Sequence, residues 1–463
     1  MNYADAPALY RKLAAFLIIL LFIASGCKKD DPVEPISPTR RLLTRTSWQI
    51  TKALDVGSSP GAPVDITLQM PMGYVAFNTD GTFSSASIGG TWEFTESESK
   101  ILIHSSSFES PIAVYIEELT ETVLQLRMMF TFPDQPRLLV VTFASFTPDF
   151  SPEVNFETIW KEFDTRYSFF EVKKINWDSV YSVYRPQVKK NTTDAELFQI
   201  MSSMLNIFKD GHVNLYTPHG TFAYSGWYTK YPANFISKEA VTKYLSSDYG
   251  TLANGYLRYG KINDNIGYIY IGPNLMGNND DWTLAIDRII DSLKNTKGIV
   301  IDIRNNGGGS DGLGMIVASR FCDRQRTYSH ISWRSGPRHA DFTQAEPSTV
   351  QPDGKQQYLK PVALLTNRHC FSSAEGTILM LRVLPNVVTI GDTTGGGSGN
   401  PITLQLPNGW SYRLSRWIQY TADMEVFEGK GLAPAIPVGI SEADYNAGKD
   451  AILEYAVSYL TNK

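Results

Sequence analysis

The sequence predicts a multidomain protein: an all-β module near the N-terminus, then an α/β region that carries a small helical subdomain. Three observations predict it. Between residues 41 and 147, apolar and polar residues alternate in short runs broken by turn residues. Between 150 and 218, apolar residues return at helical spacing. Beyond Ile266, short continuous apolar runs alternate with amphipathic stretches, the pattern of a sheet covered by helices. A length of 463 residues suits two or three domains, and 43% hydrophobic content suits packed cores. Lys and Arg number 42 against 47 Asp and Glu, a net charge of −5. No stretch has the basic density of a nucleic-acid site, so no nucleic-acid partner is expected.

Residues 1–27 read as an export signal. Arg11 and Lys12 precede the apolar run Leu13 to Ala24, which is short for a membrane span and ends in small residues. Ser25-Gly26-Cys27 resembles the lipobox of bacterial lipoproteins, which implies a lipid on Cys27 that anchors the chain in a bacterial membrane. An ordinary signal peptide with an incidental Cys is the alternative. Lys28-Lys29-Asp30-Asp31 resembles the charged patch that exports some Gram-negative lipoproteins to the cell surface. The expected location is therefore the outer membrane or cell surface, with the periplasmic face as the other choice. Residues 28–40, with Pro32, Pro35 and Pro38, form an extended tether.

Residues 41–147 form the β module. Runs such as Trp48 to Leu54, Thr91 to Phe94, Lys100 to Ile103 and Val123 to Leu126 alternate, and Asp80-Gly81 marks a hairpin turn. The spacing suggests a small barrel or sandwich that resembles the lipocalin-like modules of surface lipoproteins. It serves as a spacer or an accessory binding module; no metal or nucleophile constellation lies in it, and His104 is a strand residue.

Residues 150–218 form the helical subdomain. Phe156, Ile159, Trp160, Phe163 and Tyr167 fall on one face. Trp177, Val180, Tyr181 and Tyr184 mark a second helix, and the capping box Thr193 to Glu196 opens a third. Gly211 is placed to be the left-handed residue that ends this third helix, which sets His212 at a helix-to-strand corner. There it is either a structural histidine or a base.

Residues 219–463 form the α/β core. The buried strand Gly298 to Ile303 discharges into Arg304-Asn-Asn-Gly-Gly-Gly309, a loop able to bring backbone N–H groups against a ligand. It lacks both the dinucleotide fingerprint and the Gly-Lys-Ser/Thr of a phosphate loop, so no cofactor is expected. A second strand, Pro361 to Thr366, leads through Asn367-Arg-His-Cys-Phe-Ser372 into the helical run that follows Glu375. A serine at such a junction meets free N–H groups and the positive helix end, which acyl transfer requires. The plainer reading is an N-cap with Glu375 completing a capping box. Cys370 is a weaker rival nucleophile and His369 a weaker rival base. Cys322 and Cys370 read as two isolated buried thiols rather than a disulfide or metal pair. Phe222, Tyr224, Trp227, Tyr228 and Tyr231 either line a cleft or pack as a loop. Glu428 lies in the glycine-rich Phe427 to Pro434, solvated or orienting a histidine.

Taken together, Asp210-Gly-His212, Asp302 to Gly309, Ser372-Ser-Ala-Glu375 and Glu428 to Pro434 resemble the C-terminal processing peptidase and tricorn core family of serine peptidases. The resemblance implies a crotonase/ClpP-like peptidase fold, a peptide or protein substrate, and acyl-enzyme chemistry without a cofactor. It implies Ser372 as nucleophile, His212 as base, Glu428 as its carboxylate, and backbone N–H groups of Gly308 and Ser373 as the oxyanion hole. The Ser–Lys branch carries a lysine where Gly397 stands, so this chain resembles the tricorn-like branch with a histidine base, titrating near the ordinary value of about 6.5. Gly211 replaces the hydroxyl residue of that branch, and the stretch between Leu215 and Ile266 is too short for a PDZ insertion. A catalytically inactive peptide-binding lipoprotein and a crotonase-like acyl-CoA enzyme are the alternatives; oligomeric state is not legible.

The leader generates the first prediction. The full chain expressed in a Gram-negative host should incorporate labelled fatty acid and partition into detergent, and Cys27→Ser should do neither. Unchanged incorporation in Cys27→Ser refutes the anchor.

Overall fold

The computed structural model describes residues 36–463 apart from 58–61, 68–69, 71–73, 86–87, 107–109, 132–135, 148, 232–241, 247–248 and 263–264. The leader and Cys27 lie outside the described residues.

Alternation in the first module closes a sheet on itself. Ser47–Asp55 pairs antiparallel with Tyr74–Phe77 on one side and with Pro136–Phe146 on the other. The strands between follow one another as a meander, so eight antiparallel strands complete a barrel and Val64–Asp65 hangs on its rim. Among the described residues, closure gives each of the eight barrel strands a neighbour on both sides. The inward residues, among them Trp48, Phe77, Trp92, Leu124 and Val141, fill the interior. Gly81 takes φ +83 at the turn marked by Asp80-Gly81.

The helices Pro152–Arg166, Trp177–Tyr184 and Asp194–Leu205 carry the expected apolar faces, and the capping box at Thr193 and Glu196 is formed. Their apolar faces do not close on each other alone. Phe156, Ile159, Phe163, Met201 and Phe208 share one core with Ile402, Leu404, Tyr412 and Leu414 from the far end of the chain. A four-stranded sheet makes the join, in the order Gly220–Ala223, Asn214–Thr217, Ser411–Leu414, Ile402–Gln405. The helical segment and the C-terminal hairpin are therefore one packing unit. Gly211 is not the left-handed residue expected: Leu205 runs on into a 3-10 turn, and Lys209 takes φ +46 instead.

A seven-stranded sheet forms the α/β core, ordered Gly250–Leu252, Leu257–Ile262, Ile266–Ile271, Gly298–Asp302, Val362–Thr366, Val387–Gly391, Ile436–Pro437. From Ile266–Ile271 onward the neighbours are parallel. Asn279–Leu293, Asp311–Ala318 and Ser373–Arg382 cover one face and Ala451–Thr461 the other, so Ile299 and Ile301 face one core and Val300 the other. Burial on both faces is why these strands read as unbroken apolar runs. Gly298–Asp302 and Val362–Thr366 are adjacent and parallel, with Asp302 opposite Leu365. The loops that leave them therefore emerge side by side, at the carboxyl ends where such sheets bind ligands.

Buried charge holds that edge. The Arg304 guanidinium donates to both carboxylates, Asp302 at 2.6 Å and Asp450 at 2.7 Å, all wholly buried. Asp450 also caps the helix Ala451–Thr461 by accepting from Leu453 N–H at 3.0 Å. Removing one partner of such a group leaves an uncompensated buried charge. Asp450→Ala should lower stability by about 3–5 kcal/mol, read as a shift in the denaturant midpoint. A shift of a few tenths would mean that Arg304 is satisfied by Asp302 alone.

Candidate active site

Ser372 sits on the turn between the strand Val362–Thr366 and the helix Ser373–Arg382, and its backbone is forced to φ +58, ψ −130. A β-carbon is rarely tolerated there, and such strain persists only where surroundings over-determine it. The surroundings are Glu375 and the glycine loop. The Glu375 carboxylate, wholly buried, accepts from Ser372 N–H at 3.2 Å, Gly396 N–H at 2.8 Å, Gly397 N–H at 2.7 Å and the Thr394 hydroxyl. On the other side, Phe371 N–H donates to Asn306 O at 3.0 Å, and Asn367 and Asn305 exchange two further bonds.

The loop after Asp302 lies directly against Ser372. A β-carbon on Gly308 would stand 2.8 Å from both Ser372 Cβ and Ser373 N. Only glycine leaves space there, and φ +94 is a glycine conformation. The Ser373 hydroxyl donates to Gly309 O at 2.7 Å, while among the described residues nothing accepts from the Ser373 N–H. That N–H is free to meet a ligand. The Gly308 N–H, expected beside it as a second donor, is engaged instead by Asn306 Oδ1 at 2.9 Å. Asn306 completes a local turn across its neighbour, and Gly308 contributes room rather than a free donor.

His212 is buried and shares with Ser372 a cleft of about 460 Å³ also lined by Trp227, Met276, Gly308, Phe371, Arg413 and Trp417. Its Nδ1 has no hydrogen-bond partner among the described residues. Burial lowers its pKa from 6.5 to about 4, with the Asp210 carboxylate pulling the other way and Arg413 and Lys173 adding to the fall. Asp210 accepts from the His212 N–H at 2.8 Å and from the Tyr167 and Ser415 hydroxyls at 2.9 and 3.0 Å.

Glu428 is not joined to His212 by any hydrogen bond among the described residues. Lys173 Nζ lies 3.1 Å from its Oε1, and Ser398 donates its N–H and hydroxyl to Oε2 at 2.9 and 3.1 Å. Burial and the Asp210 charge raise its pKa to about 7, against Lys173. Sequence reasoning missed Lys173, whose only signal was a basic residue ending a short helix.

It also missed Phe371. Its ring stacks on Trp227 at 4.1 Å and lies 4.7 Å from the His212 ring. Three glycines make its niche: a β-carbon would come within 2.8 Å of the ring at Gly211, 2.7 Å at Gly395 and 2.1 Å at Gly397. The place from which a lysine could reach the site is thus filled by an aromatic ring. Trp227 lines the cleft, as one of the two readings of its loop had it. The rivals fall away on geometry. Cys370 is buried, its thiol donates to Ile303 O at 3.3 Å, and burial pushes its pKa up to about 12. His369 packs on Tyr228 and does not line the cleft. Cys322 and Cys370 are both free and buried.

The model of peptidase family S41 matches residues 256–438, and that of the tricorn protease C1 domain matches residues 148–206. The carboxy-terminal processing protease CtpA of Bacillus subtilis is 26% identical over 181 residues, 38% of this chain and 36% of that protein. The match thus spans about a third of that relative. A solved structure from Parabacteroides merdae, assigned as a peptidase, is 36% identical, with a TM-score of 0.62 over 67% of this chain and 97% of its own. Mature CPAF in complex with lactacystin, at 12% identity, shares the fold with a TM-score of 0.53 over 67% of this chain and 97% of its own.

Strain at Ser372 has a measurable consequence. Ser372→Gly should be more stable than Ser372→Ala by about 1 kcal/mol, since only glycine relaxes at that φ. Equal denaturant midpoints for the two would show the turn to be unstrained.

Proposed function

This chain belongs to peptidase family S41, and from that membership we propose that it cleaves peptide bonds as a serine peptidase with Ser372 as nucleophile and His212 as base. One observation carries the reading: Ser372, the buried His212 and the unoccupied Ser373 N–H meet at one cleft. In the proposed reaction the Ser372 hydroxyl attacks the substrate carbonyl carbon while His212 takes its proton. The carbonyl oxygen, now an anion, accepts from Ser373 N–H, and Gly308 supplies the room it needs. Return of the proton from His212 to the departing amine leaves an acyl-enzyme, which water hydrolyses by the same steps reversed. The imidazolium formed on the way is stabilised by the Asp210 carboxylate, while Glu428 is engaged by Lys173 and Ser398. The substrate is a peptide or protein, and the reaction draws on no cofactor. We further propose that a lipid on Cys27 anchors the chain in the outer membrane or at the cell surface, and that the barrel spaces the peptidase from it.

A serine base pair works only while the imidazole is neutral. With the His212 pKa lowered to about 4, the acid limb of the pH–rate profile should fall near that value rather than near 6.5. Activity should be level from there through neutrality. Ser372→Ala should lose both hydrolysis and labelling by a fluorophosphonate, His212→Ala should lose at least about 100-fold, and Glu428→Gln should lose less. An acid limb near 6.5 would mean that the imidazole is not buried in the working enzyme. Wild type that no fluorophosphonate labels would refute the peptidase reading and favour a peptide-binding lipoprotein of the same fold.

A further inference from the structure

We propose that Arg413 is a specificity-determining residue, whose guanidinium receives a carboxylate of the peptide bound in the Ser372 cleft. That the ligand is a peptide rests on the peptidase reading above; that it brings negative charge rests on Arg413 itself. Arg413 lies within the strand Ser411–Leu414, whose neighbours Tyr412 and Leu414 are buried in the helical core. Strand alternation turns Arg413 to the opposite face, into the cleft with Ser372 and His212. In register it stands opposite Asn214 on one side and Thr403 on the other, which fixes its backbone in a four-stranded sheet rather than a loop.

The guanidinium there is half-buried, and among the described residues it takes part in no hydrogen bond, ion pair or ring contact. Other buried arginines of the chain are unlike it. Arg166 holds Glu162, Arg304 holds Asp302 and Asp450, Arg334 donates to Thr165 O, and Arg368 donates to Trp227 O and Thr394 O. A guanidinium carries five N–H donors in a planar fork, and the group that matches this fork in both charge and shape is a carboxylate. Among the described residues no carboxylate pairs with it. Glu428 is taken by Lys173 and Ser398, and Asp210 by Tyr167, Ser415 and the His212 N–H. Asp311 also lines the cleft, but it stands beside Gly376 at the start of the Ser372 helix and forms no ion pair with Arg413 among the described residues. The missing carboxylate therefore arrives with the ligand, either as an acidic side chain close to the scissile bond or as the free C-terminus of the peptide.

The test uses the full chain carrying Ser372→Ala, which cannot turn peptide over, and fluorescent peptides matched in pairs. One pair differs only by Glu against Gln, the other only by a free C-terminal acid against its amide. The acid member of one pair should bind roughly 10–100-fold more tightly than its neutral partner, the usual worth of a charge-assisted hydrogen bond. The pair that shows the difference identifies the source. Adding Arg413→Gln should bring that ratio close to one, while Arg413→Lys, which keeps charge without the fork, should retain part of it. Equal affinity within both pairs, absence of any binding, or a preference that survives Arg413→Gln overturns the proposal. Binding with the expected preference, alongside a wild type that hydrolyses none of these peptides, would instead refute the peptidase reading and leave the carboxylate site standing.

Discussion

The buried carboxylate of Glu375 is the interaction on which the site depends. An ionised carboxylate taken out of water is tolerated only where its oxygens are met by donors. Here the donors come from two separate segments: Ser372 N–H from the turn, and Thr394, Gly396 and Gly397 from the glycine-rich loop. The connection runs further, since Thr394 Oγ1 also accepts from Leu432 N–H and Gly396 O accepts from Gly429 N–H. The strained turn at Ser372, the glycine loop and the segment that carries Glu428 are thereby set by one anion. Burial raises its pKa, and the four donors oppose the rise. Its charge state and the geometry of Ser372 are therefore linked.

The second constraint is steric. The ring of Phe371 occupies the space that three glycines leave open, and the ring of His212 rests against it. Any side chain at Gly397 would meet Phe371 at its Cβ, so a lysine base cannot be delivered from that loop without displacing the ring. The same packing explains Gly211. Its β-carbon would stand 2.7 Å from Trp227 Nε1 and 2.8 Å from Phe371. Aromatic packing thus fills the space beside Gly211, and the buried imidazole next to it has a lowered pKa.

Charge is arranged in tiers around these two features. Arg304 with Asp302 and Asp450 is sealed in the sheet, Lys173 with Glu428 lines a neighbouring cavity, and Arg413 faces the Ser372 cleft without a protein partner among the described residues. The inner pairs preserve geometry. The outermost charge is left for whatever enters.

Much of this was legible in the sequence. Alternation marked the barrel strands, the helical stripes marked the core of the second unit, and unbroken apolar runs marked the parallel strands, because each pattern is dictated by local burial. The strand-to-helix turn at Ser372 and the glycine loop beside it were legible as places in the fold, because buried apolar runs ending in glycine or a helix start mark such junctions. What the sequence could not determine were relations between distant segments. It did not reveal that the hairpin 402–414 completes the helical core, that Glu428 pairs with Lys173 instead of His212, or that Asn306 engages Gly308 N–H. Nor did it single out Phe371 and Arg413, which in sequence are an ordinary aromatic and an ordinary strand arginine. By itself the sequence determined the elements and their order, since these follow from neighbours a few positions apart. Only the tertiary structure decided the partners, the pKa of His212 and the open charge of Arg413, since desolvation and hydrogen bonding depend on which groups folding brings together.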